Sequence, residues 1–241
     1  MSKKLYKVGI GVSTYNRPEI LKYTLAQLLK NKKADTIVVV SDDGSTLPEV
    51  RDVIRSFNIP WTTGPNCGSV GNKNRLLRLL CDCDYMFIME DDVLVKRVGW
   101  EKFWIDGHLK SGIHHFTFSP HGPYGKLKNV TKFKNSNIIV EHTETDGGTF
   151  SFYTNEVIQT CGGFSPKFKG MGWGHCEFSE RIFRAGLTGK YKINHLYGSK
   201  LYVKLCSVDP TFNKEGRKKW NEANKKLWEQ SCKENWKMCK L

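Results

Sequence analysis

The sequence predicts an α/β fold with a mostly parallel central sheet flanked by helices on both faces. In the first half of the chain, short apolar runs alternate with segments whose leucines recur at helical spacing. Polar and acidic clusters directly follow three of these runs, and parallel sheets bind ligands at the carboxyl ends of their strands. A length of 241 residues fits one such domain with an appendage.

Strands and helices alternate regularly from residue 8 to residue 89. The predicted strands are Val8–Ser13, Thr36–Ser41, Ile59–Thr63 and Tyr85–Met89, and the predicted helices are Pro18–Lys30, Pro48–Phe57 and Gly71–Cys81. Pro18 suits the first turn of a helix, where its missing N–H has no partner to lose. The run from 36 to 41 is β-branched and continuous up to its last residue, which is typical of a strand covered on both faces.

The second half of the chain has a weaker pattern. We expect helices at Val98–Leu109, Asn155–Cys161 and Glu177–Ala185, and strands at His115–Ser119, Ile138–His142, Thr149–Thr154 and Tyr191–Asn194. The segments 120–137 and 162–174 are polar or rich in glycine and predict loops. A basic amphipathic helix, Glu215–Met238, ends the chain. We therefore expect a domain over residues 1–205 and a C-terminal extension, 206–241, that packs on it through Trp220, Leu227, Trp228 and Trp236.

The charge of the chain points to a polyanionic partner. Lys and Arg number 38 against 24 Asp and Glu, which gives a net charge of +14. Residues 200–241 hold eleven of these cations against five acids, and a second basic run consists of Lys126, Lys128, Lys132 and Lys134. Such an excess favours nucleic acid, an anionic membrane or another polyanion as the partner.

The sequence also indicates where the protein works. No apolar run reaches the roughly 18–20 residues that a membrane span needs. The first residues lack the apolar stretch of a signal peptide, and the eight cysteines are scattered without metal-binding spacing. We therefore expect a cytoplasmic protein with reduced thiols and no transmembrane segment.

The acidic triplet Glu90-Asp91-Asp92 is the first sign of chemistry. It follows an apolar strand in a basic protein, and two of its carboxylates can hold Mn²⁺ or Mg²⁺ while leaving positions for water and phosphate oxygens. The alternative is a solvated acidic turn. A second pair, Asp42-Asp43, ends another strand and is either an Asx turn or part of a nucleoside pocket in which a carboxylate accepts from a base N–H.

Five motifs occur in one order along the chain. They are VGIGVSTYNRP at 8–18, SDDGST at 41–46, the segment Gly68–Arg75, MEDD at 89–92, and a Gly-Gly-Phe and Gly-Trp-Gly pair that leads to Glu177. In this order they resemble the GT-A glycosyltransferases, especially the family 2-like group, over roughly residues 7–187. The resemblance implies a GT-A (nucleotide-diphospho-sugar transferase) fold for residues 1–205. It also implies transfer of a hexose or pentose from a nucleotide-diphosphate sugar, with a UDP-sugar favoured, to an acceptor hydroxyl.

The resemblance also implies roles for the donor-binding residues. The residues expected to bind the nucleotide sugar are Thr14, Tyr15, Arg17, Asp43, Lys73, Asn74 and Asp91. Among them Asp43 reads the base, whereas Lys73, which replaces the family's usual Arg, and Asn74 face the diphosphate or sugar.

The metal site and the catalytic base follow from the same resemblance. Asp92 and Glu90, with His195 as a late ligand, would hold Mn²⁺ or Mg²⁺. His175 competes with His195 for that role or contacts the acceptor, and either histidine could instead be structural. Glu177 falls at the position of the base in inverting members, although Cys176 replaces the usual neighbouring acid. Alternatively, Glu177 is a helix N-terminal carboxylate stabilised by the helix dipole.

The basic charge suggests the acceptor. A hydroxymethylated base in DNA, flipped into the pocket as in phage-type DNA modification, would explain a cationic surface around an acidic site. Such an enzyme would act in the host cytoplasm. The alternative acceptor is a cell-surface or virion glycan, with the lysines attaching the protein to an anionic membrane. A third hypothesis, a nucleic-acid-binding module without catalysis, conflicts with the intact acidic motifs.

Overall fold

The computed structural model describes residues 6–33, 35–118, 127–134, 136–144, 147–170, 172–206, 214–234 and 238–241. Among these residues, nine strands form one central sheet in the order β3-β2-β1-β4-β9-β6-β10-β8-β7. The strands are β1 Val8–Thr14, β2 Ile37–Asp42, β3 Trp61–Thr63, β4 Tyr85–Glu90, β6 His115–Thr117, β7 Asn129–Lys132, β8 Ile139–Thr143, β9 Phe150–Thr154 and β10 Ile193–Leu196. A separate two-stranded ribbon pairs β5 (Val93–Val95) with β11 (Val203–Leu205).

The helices lie on both faces of the sheet. They are α1 Pro18–Asn31, α2 Glu49–Ser56, α3 Gly68–Leu80, α4 Glu101–Ser111, α5 Asn155–Cys161, α6 Gly174–Arg184 and α7 Lys214–Ser231. Most bounds agree with the sequence prediction to within a few residues. However, α3 and α6 both begin three residues earlier than predicted, so Glu177 lies inside the first turn of α6 rather than at its start.

The first four strands in chain order form the parallel half of the sheet. β1 pairs in parallel with both β2 and β4, and β2 pairs in parallel with β3. Thr14 is in register with Asp42, and Ser13 is in register with Glu90. The three polar clusters that follow these strands therefore meet at one edge of the sheet, which confirms the expectation from strand order.

The other half of the sheet is mixed. β9 runs antiparallel between β4 and β6, β10 is parallel to β6, and β8 and β7 continue antiparallel. The prediction of a loop over all of 120–137 is wrong for Asn129–Lys132, which forms the edge strand β7. Its side chains are largely exposed, so backbone pairing with β8, rather than an apolar pattern, makes it a strand.

The ribbon of β5 and β11 fixes the backbone of the acidic triplet. β5 begins directly after Asp92, and the Cys206 N–H donates to the Asp92 carbonyl at 2.7 Å. Strands of three residues carry too little pattern to be predicted, and these two are more than a hundred residues apart in the chain.

Two apolar layers cover the sheet. One holds side chains of α1, α2 and α4 with an aromatic centre of Phe87, Trp100, Trp104, Phe150 and Phe152. The other packs α3, α5 and α6 on the opposite face, where Leu76, Leu77 and Phe178 are fully buried. This arrangement is the predicted helix–sheet–helix sandwich.

The C-terminal helix α7 packs beside α6. Asn224 is buried and its side-chain amide donates to the carbonyls of Lys169 and Gly172, at 2.8 and 3.2 Å. Trp228 packs on Trp173 with ring centroids 4.8 Å apart, whereas Trp220 is 42% exposed. Trp236 lies outside the described residues. In the described part of the chain, no helix is long and apolar enough to cross a membrane.

Candidate active site

Asp91 is the fully buried member of the acidic triplet. Thr14 Oγ1 donates to its Oδ2 at 2.6 Å, and the Arg17 guanidinium contacts both of its carboxylate oxygens. Burial raises the pKa of Asp91 to about 7, against the opposing effect of Arg17. These contacts fix the loop after β1 to the loop after β4. Direct contact of Asp91 with a donor stays a prediction.

Glu90 is held by a buried lysine. Lys73 Nζ donates to Glu90 Oε1 at 2.9 Å and to the Gly148 carbonyl at 2.7 Å, and Lys73 is only 4% exposed. Burial acts to raise the pKa of Glu90, but Lys73, Arg17 and His175 together keep that pKa below its ordinary value. Glu90 is therefore an ionised carboxylate with a fixed position, and Lys73 is a cation at the same point.

Asp92 has an unsatisfied oxygen. Arg17 Nη1 donates to its Oδ2 at 3.3 Å, but its Oδ1 is buried and has no hydrogen-bond partner among the described residues. Burial and the neighbouring Glu90 raise the pKa of Asp92. A buried carboxylate oxygen without a partner costs free energy, and a divalent cation with a preference for oxygen ligands would satisfy it.

The donor set for a metal is therefore small. Nowhere in the described ranges do three or more His, Cys, Asp or Glu side chains gather to hold an ion. Asp92 and Glu90 fit Mn²⁺ or Mg²⁺ if water and phosphate oxygens complete the shell, as is usual where these ions bind nucleotides.

The structure does not bring His195 to this pair. His195 lies on β10, which β9 and β6 separate from β4. Its Nδ1 is 3.1 Å from Thr117 Oγ1 and its Nε2 is 2.9 Å from Thr143 Oγ1. Both ring nitrogens are therefore engaged within the sheet, and the proposed metal site has to rest on Asp92 and Glu90.

The first turn of α6 presents two of the predicted residues to different sides. The His175 ring lies against Gly148, where a Cβ would be 2.6 Å from its Nδ1, and Gly148 also accepts from Lys73. Glu177 is two residues further along, or about 200° around a helix of 3.6 residues per turn. His175 therefore faces the acidic triplet, and Glu177 faces away from it.

Glu177 forms a buried ion pair with Arg181. Arg181 Nε and Nη2 donate to the two Glu177 oxygens at 2.6 and 3.1 Å, and both side chains are less than 10% exposed. Arg181 also donates to the carbonyls of Cys161 and Gly163, at 2.7 and 2.6 Å. The pair thus anchors α6 to the loop that follows α5.

Asp43 caps the N-terminus of α3. Its oxygens accept from the Cys67 and Gly68 N–H groups, each at 2.9 Å, and from Arg75 Nη1 at 3.3 Å. A carboxylate at this position is stabilised by the helix dipole and satisfies otherwise unpaired N–H groups. The sequence prediction missed Arg75, although it lies within the quoted motif. A role for Asp43 in reading a base remains to be tested.

Asn74 clamps the glycine-rich loop. Its Nδ2 donates to the Phe164 carbonyl at 2.9 Å, and the Phe164 N–H donates to its Oδ1 at 2.8 Å. The amide therefore pairs with backbone 90 residues away in the chain. Its predicted contact with the donor stays a prediction.

Asn16 links the loops after β1 and β2 and was not among the predicted site residues. It has a positive φ of 52°, and its Oδ1 accepts from the Thr46 and Leu47 N–H groups at 2.8 and 3.2 Å. Its position two residues after a strand was the available signal, since Asn tolerates left-handed backbone. The adjacent Tyr15 is 43% exposed at the same rim, where a predicted nucleotide contact would need it.

Comparison with known proteins identifies the fold. Residues 10–104 match the model of glycosyl transferase family 2. A mannosyltransferase from Pyrobaculum calidifontis, solved with GDP-Man and Mn²⁺, superposes with a TM-score of 0.58 at 16% identity over 79% of this chain and 56% of that chain. The fold is the GT-A fold.

Two further structures share this GT-A fold. GalNAc-T7, solved with UDP, GalNAc and Mn²⁺, gives a TM-score of 0.66 at 12% identity and covers 85% of this chain and 44% of that chain. S. aureus TarS superposes with a TM-score of 0.59 at 19% identity and covers 85% of this chain and 37% of that chain. The chain thus spans about half the length of these proteins or less. No curated protein matches its sequence.

Substitution of Gly68 tests the packing beside the site. Gly68 has φ +78°, and a Cβ there would lie 2.7 Å from the backbone N and O of Gly170. We expect Gly68→Ala to lower the free energy of unfolding by about 2–4 kcal/mol, since left-handed strain and a backbone clash add. In Gly112→Ala the φ is similar, +70°, but nothing lies within 4 Å. In this control the free energy of unfolding, measured by urea denaturation, should fall by only about 1–2 kcal/mol. An equal fall in Gly68→Ala and Gly112→Ala would contradict the close packing of Gly68 on Gly170.

Proposed function

We propose that the chain is a metal-dependent glycosyltransferase that moves a sugar from a nucleotide-diphosphate sugar to an acceptor hydroxyl. The observation that carries the proposal is the buried, unpaired Oδ1 of Asp92 beside Glu90 at the carboxyl edge of a parallel sheet. In a GT-A fold this is where a cation and a diphosphate would lie. Arg17 and Lys73 lie against this acidic cluster, and such cations suit an anionic donor.

The chemistry of transfer matches the charges at this edge. Departure of a nucleoside diphosphate builds negative charge, which a bound divalent cation would neutralise as a Lewis acid. Lys73 is buried and fixed by Glu90, so it offers a preorganised positive charge for the same oxygens. Arg17 bridges Asp91 and Asp92 and holds the two carboxylates in place.

Nucleotide binding provides the first test. We propose a UDP-sugar as donor, and the structural neighbours were solved with GDP-Man in one case and UDP in another. Calorimetric titration should show that UDP binds in the presence of Mn²⁺ and that chelation weakens binding at least about tenfold, as expected when phosphate oxygens complete the metal's shell. Binding that is unaffected by chelation would contradict the metal site.

The role of Glu177 can be tested separately. Its paired, inward-facing carboxylate favours an anchoring role, whereas the sequence predicts a catalytic base and hence inversion at the anomeric carbon. We expect Glu177→Gln to lower the free energy of unfolding by about 1.5–3 kcal/mol and to keep turnover within about tenfold, because general-base loss alone costs about 100-fold or more. If turnover instead falls by about 100-fold or more while the free energy of unfolding is unchanged, Glu177 acts as the catalytic base.

A polyanion is the acceptor class that we propose. The lysines at 218, 219, 225 and 226 are exposed on α7, which packs on the segment around Lys169, Gly170 and Gly172. Gly170 in that segment accepts from the Ser69 N–H at 3.0 Å, and Ser69 Oγ lies 3.4 Å from Glu90 Oε1. The basic helix therefore flanks the donor site, where it would contact phosphates of an approaching strand.

A hydroxymethylated base in DNA is our first candidate within this class, as in phage-type DNA modification in a host cytoplasm. Binding to hydroxymethylated duplex should be measurable at ~50 mM salt and fall steeply as salt rises. Lys218→Gln with Lys219→Gln should weaken binding several-fold, whereas Lys33→Gln with Lys200→Gln, far from α7, should change it little. Absence of DNA affinity would favour the second candidate, a cell-surface or virion glycan.

A further inference from the structure

A surface at the far end of β5 combines exposed cations with exposed aliphatic side chains. The β5-end patch consists of Lys33, Lys96, Arg97, Val98, Lys200 and Leu201. β5 starts beside Asp92 and runs away from it, so the patch is separate from the candidate active site. No part of the proposed transfer reaction uses these residues.

Backbone contacts hold the three segments of the patch together. The Lys96 N–H donates to the Tyr202 carbonyl at 2.8 Å, and Lys96 Nζ donates to the Lys200 carbonyl at 3.0 Å. On the other side, the Gly99 N–H donates to the Asn31 carbonyl at 3.1 Å, where α1 ends just before Lys33. The patch is therefore a fixed feature of the fold rather than a set of scattered side chains.

The patch carries four exposed cations. Lys33, Lys96, Arg97 and Lys200 are exposed, and none of them forms an ion pair with another residue that the structure describes. Elsewhere on the surface lysines do have acidic partners, as Lys102 does with Asp106. Asp35 is the exposed acid nearest to Lys33 along the chain. Such a cluster attracts an anionic surface within a Debye length.

The aliphatic side chains indicate what kind of anionic surface fits. Val98 is 74% exposed, the highest value of any large hydrophobic residue in the described ranges, and Leu201 is 53% exposed. A nucleic-acid backbone would leave both in water. The interface of a bilayer offers headgroup charge and acyl chains at once, so it satisfies the cations and removes the aliphatic groups from water.

We propose that the β5-end patch docks the protein on an anionic lipid bilayer, with the four cations at the headgroups and Val98 and Leu201 in the interface. The active-site edge at Asp92 then lies at the opposite end of β5 and stays open to donor and acceptor. Docking is independent of the proposed transfer reaction, because each uses its own residues.

Co-sedimentation of the full chain with lipid vesicles tests the proposal. Binding should require phosphatidylglycerol in phosphatidylcholine vesicles. Lys33→Gln with Lys200→Gln should lower the affinity roughly tenfold or more, since each cation near an anionic surface contributes to binding. The control pair Lys218→Gln with Lys219→Gln removes the same charge from α7 and should leave vesicle binding within about twofold, because charges beyond a Debye length of the surface contribute little.

A second pair of variants tests the aliphatic contribution. Val98→Ser with Leu201→Ser should weaken vesicle binding several-fold, whereas Leu79→Ser, at a site of similar exposure on α3, should not. The proposal would be overturned if the protein bound uncharged and anionic vesicles equally, or if the control variants lost as much vesicle binding as the patch variants. It would also be overturned if the patch variants lost binding to duplex DNA but kept binding to vesicles. Nucleotide-sugar turnover in solution should be unchanged in the Lys33→Gln with Lys200→Gln and Val98→Ser with Leu201→Ser variants, so failure of docking and failure of the transfer reaction are distinguishable.

Discussion

Replacement of Asp92 with Asn is expected to lower Mn²⁺-dependent turnover of the nucleotide sugar by about 100-fold or more. The expected loss corresponds to about 2.7 kcal/mol of transition-state stabilisation. A bound divalent cation can stabilise the charge that develops in the transition state by several kcal/mol, so the loss of a metal ligand can have an effect of this size. The physical reason is the Asp92 Oδ1, which is buried and without a partner in the described structure. Asn keeps the shape of the side chain but removes the charge that would hold the cation.

Comparison with an exposed acid shows whether the effect is local. Asp82 is exposed at the turn before β4, at the end of the sheet opposite to the triplet. Asp82→Asn should keep turnover within about twofold, because exposed charges beyond a Debye length are screened. Turnover that survives in Asp92→Asn, measured as release of nucleoside diphosphate with saturating Mn²⁺, would contradict the proposed role of Asp92 as a metal ligand.

Replacement of Arg181 with Leu is expected to lower the free energy of unfolding by about 3–5 kcal/mol, the usual cost when one partner of a buried ion pair is removed. Arg181 is 5% exposed, pairs with both oxygens of Glu177, and donates to two backbone carbonyls. Its loss leaves the Glu177 carboxylate buried without a counter-ion. Urea denaturation followed by tryptophan fluorescence measures the change.

Two companion variants separate the buried charge from lost packing. Arg55→Leu removes an exposed arginine, 62% accessible and paired with Asp52, and should cost less than about 1 kcal/mol. Glu177→Leu combined with Arg181→Leu should recover part of the loss, because the unpaired carboxylate is gone. A cost below about 1 kcal/mol for Arg181→Leu alone would contradict the anchoring role of the pair.

The parallel half of the sheet could be predicted from the sequence, and so could the proximity of the polar clusters at the ends of its strands. Strand order places the ends of β1, β2 and β4 at one edge, so the proximity of Thr14, Asp42 and Glu90 follows from alternation alone. The contact of Lys73 with Glu90 also joins two neighbouring motifs, 17 residues apart.

Long-range pairings set the limit of what could be predicted. The ribbon of β5 with β11 and the clamp between Asn74 and Phe164 join segments that no local pattern relates. His195 directly follows the predicted strand Tyr191–Asn194, but in the structure it lies within β10 and its threonine partners come from two other strands. The hydrogen-bond partners of His195 therefore could not be predicted from the residue type and its position in the sequence.

The ion pair of Glu177 with Arg181 could have been predicted from the sequence. Glu177 and Arg181 are four residues apart with the acid first, the spacing and direction that favour an ion pair on a helix. Since α6 begins at Gly174, both residues lie inside the helix and pair as this rule predicts. That signal favours an anchoring role, whereas the motif alone favours a base.

Donor turnover by the unmodified chain tests the central claim most directly. The protein is incubated with UDP-sugars and GDP-sugars, with Mn²⁺ or with chelator, and mass spectrometry follows the release of nucleoside diphosphate and the appearance of a glycosylated acceptor. The site at Glu90 and Asp92 predicts that at least one donor is consumed only when Mn²⁺ is present, and that Asp92→Asn lowers this consumption by about 100-fold or more. Failure of every donor to bind or react with Mn²⁺ present, or consumption that chelation leaves unchanged, would contradict a metal-dependent glycosyltransferase.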